Sequence, residues 1–186
     1  MKGFILAMGI LNFLFGAKAE EKRTVVPLLV DLGTFTCGTT RLGERPRLGD
    51  EFSSRFNADG VADLKKSGTE LGTKDGVLDY ANITLSSFSG SFSKDGTKLS
   101  ISTNTTPAEI IGRFGEPYWK EEDHEEIILF YEYSGGRIEL QFEFPGKKNL
   151  GFVTLCRNGV LSDAAQRKAY GVTKEWPPRE KADQVK

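Results

Sequence analysis

Residues 127–156, IILFYEYSGGRIELQFEFPGKKNLGFVTLC, carry the clearest structural signal in the chain. Glycine-containing turn signals at Ser134–Gly136 and Pro145–Gly146 interrupt the stretch twice, and short turns of this kind join antiparallel neighbours. The three runs left between the turns are rich in strand-forming residues and cover residues 127–133, 137–144 and 150–156. The stretch therefore predicts a three-stranded antiparallel meander.

The middle run alternates strictly between apolar and charged or polar residues. Its apolar members are Ile138, Leu140, Phe142 and Phe144, and the residues between them include Glu139, Gln141 and Glu143. A period of two is typical of a sheet that is packed on one face and solvated on the other. We therefore expect the polar trio to face solvent, where it could contact a partner.

A helix is predicted over residues 107–114, directly before the meander. Thr106 can cap the first turn, Pro107 fits that turn, and Glu109 completes a capping box. Gly115 then permits a left-handed exit from the helix, and a proline two residues later prevents its continuation. Apolar side chains at 110, 111 and 114 would cover the dry face of the sheet.

Upstream of the helix, residues 77–101 contain two strand-like runs joined by an Asp95-Gly96 turn, which predicts a β-hairpin. Together these elements predict an α+β fold, in which an antiparallel sheet made of the hairpin and the meander is covered on one face by the short capped helix. Residues 33–79 have few apolar positions and predict no definite elements. Residues 179–186 read as a charged tail.

The N-terminus has the pattern of an export signal. Lys2 precedes an apolar run over residues 4–15, and Ala17-Lys18-Ala19 supplies a small-x-small cleavage site. We expect cleavage after residue 19, a single domain over residues 20–186, and a periplasmic or secreted location. An uncut membrane anchor and a buried hydrophobic helix are the alternative interpretations.

Composition limits the choice of partners. The 186 residues hold 25 basic and 26 acidic side chains, for a formal net charge of −1. This balance gives no reason to expect binding to nucleic acid or, after cleavage, to a membrane surface. The expected partner is another protein, because an export signal is combined with the absence of a catalytic signature, and the sequence does not predict an oligomeric state.

The two cysteines, Cys37 and Cys156, are far apart in the sequence and lack metal-site or dithiol spacing. In an oxidising compartment they could form a disulfide bond. The equally open alternative is a pair of buried strand thiols, since cysteine is among the most buried residue types.

No catalytic signature is present, and no cofactor or metal motif either. The sole histidine, His124, lies in a run of six polar residues from Glu121 to Glu126. This run lacks the spacing and the glycine of a calcium loop, so a solvated connecting loop is the simpler interpretation. An enzyme is not expected, although an envelope hydrolase with dispersed residues around His124 remains an alternative.

Aromatic residues gather near the end of the predicted helix. Tyr118 and Trp119 follow the helix stop and would lie near the tyrosines of the first meander strand. Exposed aromatic clusters mark protein interfaces, so this pair is a candidate binding surface. Trp176, next to two prolines, is interpreted as a staple that holds the C-terminal segment on the domain.

The block TPAEIIGRFGEPYW, residues 106–119, together with the strands that end at Phe144, resembles small bacterial α+β domains. These include the BamE/SmpA-like envelope proteins, β-lactamase-inhibitor-like domains and several toxin-immunity proteins. The resemblance implies a capped helix before a short meander and carries no catalytic residues across. BamE-like proteins are usually lipidated at a cysteine, which this chain lacks near its cleavage site.

These observations favour an exported, non-enzymatic protein-binding domain that acts as an interaction, inhibitor or envelope-assembly module. The predicted contact residues are Tyr118, Trp119, Glu139, Gln141 and Glu143. The alternatives are the hydrolase that uses His124 and a membrane-anchored structural component.

Overall fold

The structure, a computed structural model, describes residues 27–47, 56–64 and 67–179. The predicted signal peptide over residues 1–19 lies outside these ranges, as does all of the charged tail beyond residue 179. Within the described ranges, no helix has both the length and the apolar character needed to cross a membrane.

Strands dominate the described residues. In chain order they are β1 (Leu29–Asp31), β2 (Thr36–Cys37), β3 (Thr40–Arg41), β4 (Val61–Leu64), β5 (Thr69–Lys74), β6 (Val77–Thr84), β7 (Ser91–Lys94), β8 (Thr97–Leu99), β9 (Trp119–Glu122), β10 (Glu126–Tyr133), β11 (Ile138–Pro145) and β12 (Phe152–Arg157). Helix α1 spans Pro107–Phe114, a 3-10 turn spans Val160–Ser162, and helix α2 spans Ala164–Ala169.

The strands form two sheets. One has five strands in the order β3-β2-β1-β7-β8, and the other has seven in the order β4-β5-β6-β12-β11-β10-β9. Every neighbouring pair in the seven-stranded sheet is antiparallel, whereas β1 and β7 of the five-stranded sheet pair in parallel.

The predicted α+β fold is wrong, because the protein is mostly β. The three strands expected over residues 127–156 are not an independent meander but the β10-β11-β12 part of the seven-stranded sheet. The first half of the chain, which the sequence left largely unassigned, supplies six of the other strands. Several of these strands have only two to four residues, too few to show a periodic pattern. Strand β1 is also paired with the distant β7.

The main core contains the inward residues of β10, β11 and β12 together with the buried face of α1. Leu129, Leu140 and Phe142 are fully buried there, and Ile110 of α1 joins them. The ring of Phe114 lies 5.1 Å from that of Phe142, centroid to centroid. The predicted capping box of α1 is confirmed, since Thr106 and Glu109 exchange the two expected hydrogen bonds.

Asp31 organises the five-stranded sheet. Its carboxylate accepts hydrogen bonds from the amides of Gly33 and Thr34 at 3.0 and 2.8 Å and from the hydroxyl of Ser93 at 2.6 Å. The amides of Asp95 and Gly96, in the turn between β7 and β8, donate to it at 3.1 and 2.8 Å. Burial by itself raises the pKa of Asp31, but these hydrogen bonds outweigh burial and hold the pKa well below its usual range.

The outer face of the seven-stranded sheet, opposite the main core, is covered over β10 and part of β11 by residues 160–176, which we call the C-terminal strap. Ile128, Phe130 and Leu161 form a second buried cluster beneath it, joined by partly buried Tyr118, Trp119, Val160, Tyr170, Val172 and Trp176. This part of the sheet is therefore packed on both faces.

Candidate functional site

Two members of the predicted solvent-facing trio are buried. Glu139 is 0% and Gln141 6% exposed, because the strap covers this part of β11. The expectation that they face solvent is wrong. Glu139 accepts hydrogen bonds from the backbone amides of Val160 and Leu161 at 2.9 and 2.8 Å, and the Gln141 amide donates to it as well. The backbone donors of the strap thus replace the water that the alternating pattern implied.

Tyr118 and Trp119 also pack against the strap or the cluster beneath it. The Tyr118 hydroxyl donates to the carbonyl of Glu175 at 3.0 Å, and its ring centroid lies 5.8 Å from that of Trp176. Trp119, on the edge strand β9, packs against the same cluster. The guanidinium of Arg167 lies 4.8 Å from the Trp176 ring, which completes the staple that the sequence predicted. Both side chains of the candidate pair are half-buried.

Beneath the strap, Glu132 of β10 lies directly opposite Glu139 of β11. Burial, followed by the neighbouring Glu139 carboxylate, raises the pKa of Glu132 to about 10, so Glu132 is protonated at neutral pH. Both Glu132 oxygens are buried and make no hydrogen bond of ordinary geometry to any described residue. The pair therefore belongs to the packing of the strap.

His124 lies on the loop between β9 and β10, where its side chain is 85% exposed. Its Nε2 is 3.4 Å from the carboxylate of Glu125, which is itself on the surface. No residue of a nucleophile–base arrangement contacts it within the described ranges, and His124 does not line the open depression described below. Among the described residues, the contact of His124 with Glu125 is therefore a surface ion pair. In the same described ranges, no group of three histidine, cysteine or acidic residues could hold a metal ion.

The two cysteines lie in different sheets, Cys37 on β2 and Cys156 on β12. No disulfide bond joins them in the described part of the chain. The thiol of Cys156 donates to the Glu139 carboxylate at 3.8 Å. Burial, and next the nearby Glu139, raise the pKa of this thiol well above its usual range. The structure therefore corresponds to the alternative of two strand thiols.

The uncovered part of the outer face forms an open depression of about 550 Å³, which we call the sheet groove. It lies over β5, β6, β12 and the end of β11, beside the strap. Of the predicted trio, Glu143 alone reaches it. The lining is formed by Gly68, Thr69, Glu70, Asn82, Ile83, Thr84, Ser87, Glu143, Phe152 and Thr154.

Strand register places the groove side chains in two rows. Thr84, Phe152 and Glu143 are successive partners across β6, β12 and β11. The neighbouring row crosses β5, β6 and β12 and consists of Glu70, Asn82 and Thr154. On β6 and β12, which both rows share, the two rows are two residues apart. Since directly paired residues share a face, all six side chains belong to the outer face.

Phe152 is the apolar feature of this otherwise polar surface. Among the described residues, it and Leu29 are the large apolar side chains that stand exposed, at 39% and 47%. Leu29 belongs to the other sheet, whereas Phe152 lies inside a depression beside hydrogen-bonding side chains. An accessible ring in a concave polar surface is typical of a binding site.

The groove is acidic. Glu70 accepts a hydrogen bond from the hydroxyl of Tyr80 at 2.9 Å. Burial, followed by the nearby Glu126, raises the pKa of Glu143. None of the ion pairs formed among the described residues involves Glu143, and the described lining contains no lysine or arginine. The groove therefore presents negative charge without an internal cation.

Sequence reasoning missed most of the groove. Glu70 and Asn82 lie in or just beyond the stretch that predicted no definite elements, and their partners are set by sheet pairing. Thr154 could have been found, because it alternates with buried Val153 and Leu155 on β12 just as Glu143 alternates with its own apolar neighbours. Phe152 lies two residues before Thr154 on the same strand, so it could have been expected on the same outer face.

Comparison with known proteins shows little likeness. No protein-family model matches the chain, and no curated protein does either. One similar solved structure is a DUF4309 family protein, YjgB from Bacillus subtilis subsp. subtilis strain 168. It is 18% identical, with a TM-score of 0.34, over 62% of this chain and 72% of that one. A likeness this distant carries no argument about fold or function, and the resemblance to BamE/SmpA-like proteins stays a prediction.

Proposed function

We propose that this chain is an exported, non-enzymatic binding protein that holds a peptide segment of another protein in the sheet groove. The observation that carries the proposal is the accessible ring of Phe152 inside a polar depression of about 550 Å³. A volume of this order is in the range of specific binding sites. Asn82, Thr84 and Thr154 supply side-chain hydrogen-bond donors and acceptors for a peptide backbone.

The groove is also a more suitable contact surface than the residues that the sequence indicated. Glu139 and Gln141 are covered by the strap, and Tyr118 is engaged in holding it. Of the predicted contact residues, Glu143 is the one that lines the sheet groove. The proposed partner is therefore still another protein, but the proposed contact surface is the sheet groove and not the residues beneath the strap.

The site is tested by selecting random peptides on the full chain and measuring their affinities by calorimetry. Phe152→Ser should weaken the selected peptides by about tenfold, the effect of removing a well-placed aromatic contact. Leu29→Ser is the matched control, because it also removes an exposed apolar side chain but from the other sheet. Equal affinities for both variants would place binding elsewhere and overturn the proposal.

Export is tested separately by the intact mass of the protein produced with its own N-terminus. We expect loss of residues 1–19 and recovery of the product outside the cytoplasm. Alkylation of the unfolded chain without reduction should label both cysteines, as expected for two thiols. A full-length, membrane-associated product would instead support the anchored structural component.

A further inference from the structure

We infer that the segment held in the sheet groove carries two basic side chains at positions i and i+4 of an extended stretch, which pair with Glu70 and Glu143. This inference rests on the proposed function and names the chemistry of the partner. It follows from the charge of the groove and from the spacing of its two acids.

Charge complementarity points to a cationic partner. The described lining holds the carboxylates of Glu70 and Glu143 and no basic side chain. Glu143 is partly buried and also lies near Glu126, so its negative charge is poorly compensated within the protein. A lysine or arginine brought into the groove would relieve this repulsion, and charge-assisted hydrogen bonds to a carboxylate are stronger than neutral ones.

The register fixes the distance between the two acids. Glu70 on β5 and Glu143 on β11 are separated by three strand-to-strand steps, through β6 and β12. At about 4.8 Å a step, this separation is roughly 14 Å across the sheet, and the offset of one row along the strands brings it to roughly 16 Å. In an extended segment, residues i and i+4 lie on one side and roughly 14 Å apart. A lysine or arginine side chain is long enough to bridge the difference between these two distances.

The occupant crosses the strands and does not extend the sheet. The groove lies over β6 and β12, which have hydrogen-bonded neighbours on both sides, so no free strand edge is offered there. Between the two acids, the segment would meet Asn82 and Thr154 in one row and Phe152 in the next. The position i+2 lies on the same side as the two basic residues, and an apolar side chain there would contact the Phe152 ring.

The probe is the synthetic peptide acetyl-TKTFTKT-amide, which has lysines four residues apart and phenylalanine between them. Its comparison peptides are acetyl-TETFTET-amide, with reversed charge, and acetyl-TTKFKTT-amide, with lysines two residues apart. Calorimetry on the full chain should show the first peptide binding at least about tenfold more tightly than either comparison peptide. Its affinity should fall as salt is raised.

Two variants locate the contacts. Glu143→Gln and Glu70→Gln should each weaken the first peptide by about tenfold, the size of a typical charge-assisted hydrogen bond. Glu125→Gln is the matched control, because its carboxyl is 78% exposed on a loop outside the groove. Unchanged affinity in both groove variants, or equal binding of all three peptides, would overturn the inference.

The outcomes separate this inference from the proposed function. If library-selected peptides depend on Phe152 but lack paired basic residues and are unaffected by Glu143→Gln, then the groove binds peptides of another chemistry and the inference alone fails. If the selected peptides do not depend on Phe152, the groove is not the binding surface, and the proposed function fails with it.

Discussion

Glu132 and Glu139 occupy directly opposite positions in the β10–β11 pair, with both side chains beneath the C-terminal strap. Two charged carboxylates placed face to face in such a site would repel strongly, so one of them holds a proton. We assign the negative charge to Glu139, because its oxygens accept hydrogen bonds from the amides of Val160 and Leu161. Glu132 is then the neutral partner, in agreement with its raised pKa of about 10.

Glu132 makes stability depend on pH. Its pKa rises from 4.5 to about 10 on folding, so between these values the folded state holds a proton that the unfolded state has lost. The free energy of unfolding should therefore fall as pH rises from 6 to 8, by up to about 1.4 kcal/mol per pH unit. Glu132→Gln should remove this slope and be the more stable form at pH 8, as measured by urea denaturation.

The surface variant Glu125→Gln, at a side chain that is 78% exposed, provides the control and should keep the wild-type slope. Parallel stability profiles for Glu132→Gln and the wild type would show that Glu132 is charged in the folded protein.

Glu139 should hold the start of the strap in place. Glu139→Ala removes the acceptor for the Val160 and Leu161 amides and leaves buried donors without a partner. We expect a loss of roughly 2–4 kcal/mol in unfolding free energy, the order of cost for such unpaired groups. Hydrogen exchange should show the Val160 and Leu161 amides losing protection. Wild-type protection of these two amides in the variant would contradict the assigned role.

The contact between Trp176 and the β10–β11 turn can be isolated with a pair of glycine variants. A Cβ added at Gly136 would lie 2.5 Å from the Trp176 ring, whereas one added at Gly146 would meet nothing within 4 Å. Both glycines have positive φ, at 79° and 68°, so both alanine variants bear a similar backbone strain of about 1 kcal/mol.

Gly136→Ala should therefore be less stable than Gly146→Ala by an amount that reports the displaced ring. We expect a further loss of roughly 1–3 kcal/mol, together with a shift in tryptophan fluorescence that Gly146→Ala does not show. Equal stabilities and equal spectra would mean that the strap does not pack against this turn in solution.

Asp31 should make the five-stranded sheet sensitive to acid. Its folded pKa is depressed, so its contribution is present above the unfolded pKa near 3.8 and is lost as pH falls below it. Asp31→Ala leaves the Ser93 hydroxyl and several turn amides without their acceptor and should cost roughly 3 kcal/mol or more at pH 7. Thermal unfolding at pH 7 and pH 3 measures both effects.

Asp59→Ala serves as the control, since Asp59 is exposed in a turn and should change the unfolding midpoint little at either pH. An Asp31→Ala variant that matched this control would contradict the central place of Asp31 in the sheet.

Some elements of the fold follow from local chemistry and could be predicted. Helix α1 begins and ends where Thr106, Glu109 and Gly115 satisfy or release its terminal backbone groups, all within ten residues. The positions of β10, β11 and β12 follow from two glycine turns and from the alternation of side chains between them. Each of these signals lies within a few residues of the element that it specifies.

Other features depend on partners that are distant in sequence. Strand β1 pairs with β7 some sixty residues later, so no local signal joins β1 to the β7–β8 hairpin, although the Asp95-Gly96 turn connects β7 and β8 locally. The continuous apolar run Ile127–Tyr131 is typical of a strand buried on both faces, a signal that the prediction of a sheet solvated on one face did not use, and nothing in the run shows what covers the second face. That covering segment begins at Val160, well outside the periodic stretch.

Residue chemistry alone therefore specifies the helix, its caps and strands β10, β11 and β12, because propensity, capping and turn formation act between near neighbours. Long-range packing determines whether a polar strand residue faces water, the strap or the sheet groove. Glu139 and Glu143 stand four residues apart on the same face of β11, and nothing in their local sequence distinguishes them. Glu139 meets the backbone amides of the strap and is buried, whereas Glu143 lies just beyond the strap and remains open to a partner.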